Sequence, residues 1–134
     1  MRSVEQFVAS VLAGSREIQE ATNGRVYAFT TTQGVHTYPL IWWRLISSNP
    51  TAQDLRSVGE AWQTEAQIDV FCKSVSAAAK LAEIVFAAFN TAQLTANILD
   101  ARAVSIVPAY ANEDATIHYA VRVLINHKLN QSTI

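Results

Sequence analysis

A single cysteine, Cys72, stands in the 134 residues. No disulfide can close within the chain, and a lone thiol fits a reducing compartment. Glycine is scarce too: the four present form no GxGxxG or P-loop pattern, so the usual cradle for a nucleotide phosphate is missing. Neither sign of charge dominates, since ten Lys plus Arg against eleven Asp plus Glu leave a net charge of −1. That balance lacks the clustered basic face of a nucleic-acid reader, and it puts no long-range repulsion in the way of association with other proteins. The longest apolar-rich run, Val75 to Phe89, carries Lys80 and Glu83 and is too short to span a bilayer. Glu5 sits where a signal peptide needs its apolar stretch. The expectation is a protein made in the cytosol, with no membrane partner.

What is present suffices for a core. Half the residues are apolar and 16% are charged, which argues against disorder, and the length suits one domain over residues 1–134. Ser3 and Gln6 have capping-box spacing ahead of a helical stripe of Val4, Phe7, Val8, Val11 and Leu12. Gly14 and Ser15 interrupt that helix, and Ser15 can cap a further turn through Ile18. Asn23-Gly24 is a turn signal before a short strand, Arg25 to Phe29, and residues 30–34 read as loop.

Tyr38 to Ser47 reads as a strand apolar on both sides, with Tyr38, Leu40, Trp42 and Ile46 on one and Ile41, Trp43 and Leu45 on the other. A strand covered on one face alternates apolar with polar, so something must cover the second face here. Ser48 to Gly59 is a long polar connection. Trp62 to Cys72 alternates, with Ala66, Ile68, Val70 and Cys72 inward and Gln63, Glu65, Gln67 and Asp69 on a solvated face. Ser74 caps a second helix whose apolar face runs Val75, Ala78, Ala79, Ala82, Val85, Phe86 and Phe89, widened by Leu81, Ile84 and Ala88. Two more strands follow, Arg102 to Val107 and Thr116 to Leu129, joined by a turn around Asn112-Glu113-Asp114. The order α-β-β-β-α-β-β points to an α+β domain, one antiparallel sheet with two helices packed on it.

A search for chemistry finds little. His36, His118 and His127 have no metal-ligand spacing and read as surface or edge residues, the last two on opposite faces of one strand. Cys72 keeps register with Ala66, Ile68 and Val70, the pattern of a small core residue. The carboxylates form no pair spaced for acid–base work. No catalytic residue, metal site or cofactor is expected. A small-molecule-binding α+β domain remains as an alternative from another class, with Trp62, His118 and Tyr119 as scattered candidates, and an unrelated protein–protein adaptor as a further one.

The tryptophans carry more information. Trp42 and Trp43 are consecutive, so on a strand their rings lie on opposite faces. One enters the core, and loops or a neighbouring subunit cover the other, aromatics being enriched at interfaces. Trp62 opens the next strand, within stacking range of either ring in a hairpin, and Arg44 is an interface anchor or a snorkelling strand residue. In the long connection Asp54, Arg56 and Glu60 supply both charge signs, suited to contacts with a neighbour. Trp42, Trp43, Arg44, Asp54, Arg56, Glu60 and Trp62 are thus the candidate interface residues.

From Gly24 onward the succession of motifs resembles the phage tail-completion family related to the lambda-type tail terminator and the tail-to-head joining proteins of long-tailed phages. The resemblance is carried by Gly24-Arg25-Val26-Tyr27, then Gln33-Gly34 and Tyr38-Pro39-Leu40-Ile41. Its longest piece is Gln67-Ile68-Asp69-Val70-Phe71-Cys72-Lys73-Ser74 feeding Ala77-Ala78-Ala79-Lys80-Leu81-Ala82. It implies a homo-oligomeric, six-fold ring that stops tail-tube polymerisation on one face and receives the head connector or stopper protein on the other. DNA would pass through the central channel without sequence-specific binding, and the subunit would be assembled in the host bacterial cytoplasm into the virion tail or neck. Another neck protein, or the equivalent part of a gene-transfer agent, is the nearest alternative. The resemblance assigns no catalytic residue.

Overall fold

In a computed structural model, which describes residues 2–28, 37–51, 61–108 and 116–128, the sheet is built outward from its two longest strands. β3 (Ala61–Cys72) and β5 (Ile117–Lys128) pair antiparallel without a break, from Ala61↔Lys128 to Cys72↔Ile117. β2 (Leu40–Pro50) flanks β3, and β4 (Ile98–Pro108) flanks β5, both antiparallel. The three-residue β1 (Val26–Ala28) runs parallel to the start of β2, which gives the order β1-β2-β3-β5-β4. The class is α+β as expected, but the sheet is mixed and not wholly antiparallel. Parallel neighbours need a crossover of about a dozen residues, and residues 29–39 between β1 and β2 provide that length.

Among the described residues three helices stand where two were expected: α1 (Arg2–Gly14), α2 (Arg16–Thr22) and α3 (Val75–Asn90). The first is cut at Ser15, whose hydroxyl accepts from the Ile18 amide at 3.3 Å and starts α2 as a cap. Asn23 (φ 53°) and Gly24 (φ 78°) then turn the chain through left-handed backbone. Ser3 lies inside the first turn of α1 and not at its cap. Docking of Val4, Phe7 and Val8, all buried, outweighs a cap worth about 1 kcal/mol. Ser74 does cap α3, accepting from the Ala77 amide at 3.2 Å. Val75 is nevertheless 58% exposed, because the buried stripe of α3 begins one turn later at Ala78.

The helices cover one face of the sheet. Val4, Phe7, Val8 and Leu12 of α1 join Leu81, Ala82, Val85 and Phe89 of α3 in a core with Ala66, Ile68 and Val70 of β3 and Val121, Val123 and Ile125 of β5. Phe7 and Phe89 meet edge to face, their centroids 6.3 Å apart. Among the described residues no helix is long and apolar enough to cross a membrane.

The ladders run further than the alternation suggests. Ser48, Asn49 and Pro50 pair with Thr64, Gln63 and Trp62, so β2 extends into the stretch read as connection. β4 begins at Ile98, ahead of the expected Arg102. Both strands carry bulges, at Ile46 in β2 and at Leu99 and Val104 in β4. Each inserts one residue and breaks the period of two that marks a strand in sequence. The expected loop at 30–34 and turn at 112–114, and residues 52–60 of the long connection, lie outside the described residues.

Candidate interaction surface

Cross-strand partners in an antiparallel ladder share a face, so the register lays out the side of the sheet that the helices leave open. One row across four strands reads Arg44–Gln67–Arg122–Ser105, and the next reads Ser47–Glu65–Leu124–Arg102. Arg44, Arg102 and Arg122 are exposed, and together with exposed Asp100, which pairs with Asn126 on the same side, they form an arginine-rich patch of mixed charge that chain order scatters. Glu65 sits within it. Its carboxylate accepts from Arg122 Nε at 3.0 Å and Arg122 Nη2 at 2.6 Å, a bidentate pair that raises the guanidinium pKa above its usual value through those bonds and the adjacent negative charge.

Towards the β1 end the same face is aromatic. Trp42 meets Phe71 edge to face at 5.0 Å, and Phe71 stacks on the His118 ring at 4.4 Å. His118 Nε2 donates to Asp69 Oδ1 at 2.8 Å, and Gln67 Nε2 donates to the same oxygen at 2.8 Å. Asp69 is only 4% exposed, so its expected place on a solvated face is wrong. Trp42 is its partner across the ladder, and the Phe71–His118 stack adjoins it. Two donors satisfy the carboxylate, as burial requires.

The candidate residues divide by register. Trp43 lies on the helix-covered face, opposite Ile68, and packs against the core. Trp42 and Arg44 lie on the open face. Trp62 does not join either ring. It pairs with Pro50, while Trp42 and Trp43 pair with Asp69 and Ile68, so roughly 20 Å of strand separates them at about 3.3 Å per residue. An antiparallel hairpin joins the start of β3 to the end of β2, and both the other tryptophans stand near the start of β2. Asp54, Arg56 and Glu60 lie outside the described residues, as does His36.

His127 overturns another expectation. It is 1% exposed on the helix side, with Nε2 2.7 Å from Thr64 Oγ1, and Thr64 Oγ1 is 2.7 Å from Ser48 Oγ. Loss of solvation lowers the imidazole pKa below its ordinary 6.5. The signal was present in the sequence, since His127 continues the Val121, Val123, Ile125 alternation. Nothing in the spacing marked the Asp69–His118 or Glu65–Arg122 pairs, which depend on the β3–β5 register.

Cys72 is buried, and desolvation pushes its thiol up to about 11, which suppresses the nucleophilic thiolate. Among the described residues no three His, Cys, Asp or Glu side chains gather to hold a metal ion. The small-molecule candidates do not converge. Trp62 and Tyr119 sit towards opposite ends of the helix-covered face, and His118 is on the other face. A groove of about 850 Å³ lies between α1 and α3, floored by Phe7, Val11 and Ile84, with a balanced charged lining of Arg16 and Lys80 against Glu17 and Glu83.

No family model and no curated protein matches the chain. Solved structures do share its fold. A chain of the virion of a native gene transfer agent (GTA) particle matches with a TM-score of 0.64 at 12% identity, over 92% of this chain and 91% of that one. The bacteriophage SPP1 gp17 protein matches with a TM-score of 0.56 at 13% identity, over 97% of this chain and 91% of that one. At such identities the likeness is one of fold, and it covers nearly the whole length of each partner.

Proposed function

We propose that this chain is a structural subunit of a phage-type particle: a tail terminator or tail-to-head joining protein that works as a homo-oligomeric ring in the virion. The observation that carries the reading is the fold match, over 92% of the chain, to a component of a gene transfer agent virion. The motif succession from Gly24 to Ala82 supports it independently, because it rests on residues and not on backbone shape. In this reading the subunit acts through surfaces and not through catalysis, with the tail tube protein on one side, a head connector or stopper on the other, and DNA passing between. Electron microscopy of the purified chain, alone and mixed with tail tubes, tests it. Rings that cap tubes and hold them at uniform length are expected. A chain that stays monomeric and leaves tube length unchanged refutes the terminator role, and binding to the head side without effect on tubes reassigns the chain to another neck position.

A further inference from the structure

We propose that Asn23-Gly24 is a modification site: Asn23 converts to isoaspartate, and the C-terminal end of α2 gates the reaction by holding the Gly24 amide. The inference stands on this turn and is independent of the ring reading above.

The chemistry starts in the sequence. Asn23 is the one asparagine followed by glycine, and glycine has no side chain to shield its nitrogen or to restrict its backbone. In the reaction the Gly24 nitrogen gives up its proton and attacks Asn23 Cγ. The bond from Cγ to the side-chain nitrogen breaks, ammonia leaves, and a five-membered succinimide closes. Water then opens the ring. Attack at the backbone carbonyl leaves isoaspartate, with the main chain running on through the former side chain. Water is the one co-reactant, and both residues are exposed to it.

The fold holds this reaction back. Asn23 sits in left-handed backbone at φ 53° and ψ 40°, and ring closure requires it to swing out of that well so that the Gly24 nitrogen meets Cγ. The Gly24 N–H that must lose its proton donates to the Gln19 carbonyl at 3.2 Å, and the Asn23 N–H shares that acceptor. Both restraints belong to the end of α2. This helix has seven residues, too few to stand alone, so its capped start at Ser15 and its end at Asn23 open together. Local opening of α2 is the gate.

The product damages what the turn positions. Isoaspartate adds one carbon to the main chain and sets a carboxylate at a helix C-terminus, where the dipole disfavours it. Arg25 follows, its amide donating to the Thr22 carbonyl at 3.1 Å and its carbonyl accepting from the Ile41 amide at 3.0 Å. There β1 begins its pairing with β2, so the modification loosens the one parallel pair among the described strands.

Ageing the full chain in mildly alkaline buffer, native and in urea, with isoaspartate at Asn23 counted by peptide mapping, tests the proposal. The native chain is expected to react roughly 10-fold more slowly or less, as a site reached only by local opening does. Ser15→Ala removes the N-cap of α2 and is expected to speed the native reaction about 5-fold, the Boltzmann equivalent of such a cap, with the rate in urea unchanged. Hydrogen exchange at the Gly24 amide needs no variant, and its protection is expected to match the slowing of the native chain relative to urea. Isoaspartate-bearing chains, separated by chromatography, are expected to exchange faster at the Ile41 amide than unmodified ones. Absence of isoaspartate in urea overturns the site. Equal rates in native buffer and urea, or an unprotected Gly24 amide, overturn the gate. An unchanged native rate in folded Ser15→Ala overturns opening of α2 as its mechanism, and unchanged exchange at Ile41 overturns the link to β1.

Discussion

His127 shows what one side chain does when alternation carries it inward. Its ring is held neutral in the core by desolvation, with Thr64 and then Ser48 supplying polar partners. The folded pKa is lowered, so the unfolded chain takes up a proton near pH 6.5 while the native chain resists. Stability is therefore complete above the unfolded value and is lost as pH falls from there towards the folded one. The urea midpoint should drop between about pH 7.5 and about 5.5, and His127→Gln should flatten that drop. An equally steep drop in the variant would assign the titration elsewhere. Thr64→Val tests the polar chain at constant shape. It leaves His127 Nε2 without that partner and should cost about 1–3 kcal/mol at neutral pH.

At the scale of elements, caps and periods are legible and interruptions are not. Ser15, Ser74 and the Asn23-Gly24 pair mark real helix limits because each acts on its immediate neighbours. The alternation of β3 and β5 is visible because that ladder runs unbroken for its whole length. β2 misleads, since the bulge at Ile46 shifts all that follows. The open-face patch is hidden for a related reason: it exists only once four strands are placed side by side. β2 also carries the clearest division of labour, with Trp43 facing the core and Trp42 the open face. Trp43→Ala should remove about 3 kcal/mol of folding stability, whereas Trp42→Ala should leave the subunit folded and impair assembly. Equal unfolding by both substitutions would refute that division.

The whole molecule has a sheet-edge problem, and the three bulges bear on it. β4 is the last strand of the sheet, and β1 covers β2 only from Ile41 to Trp43, so the rest of β2 is open on that side among the described residues. All three inserted residues fall on these open edges: Ile46, Leu99 and Val104, exposed by 44%, 47% and 43%. A straight, unpaired edge templates pairing with another chain, and a bulge twists it away. In the ring proposed above, subunits would join through faces and stop on closure, which edges unable to extend the sheet would serve. Deleting Leu99 and Val104 together restores one-to-one register in β4 without moving any other side chain to the opposite face. The deletion also removes two exposed apolar groups, so surface hydrophobicity alone predicts less aggregation, while edge geometry predicts more. We expect the deletion variant to keep its circular dichroism and to scatter light sooner than wild type on warming, with fibrous material in electron micrographs. Val104→Ser, which keeps the bulge, should not aggregate faster. A folded deletion variant that stays clear longer than wild type would show that the bulges do not protect this edge.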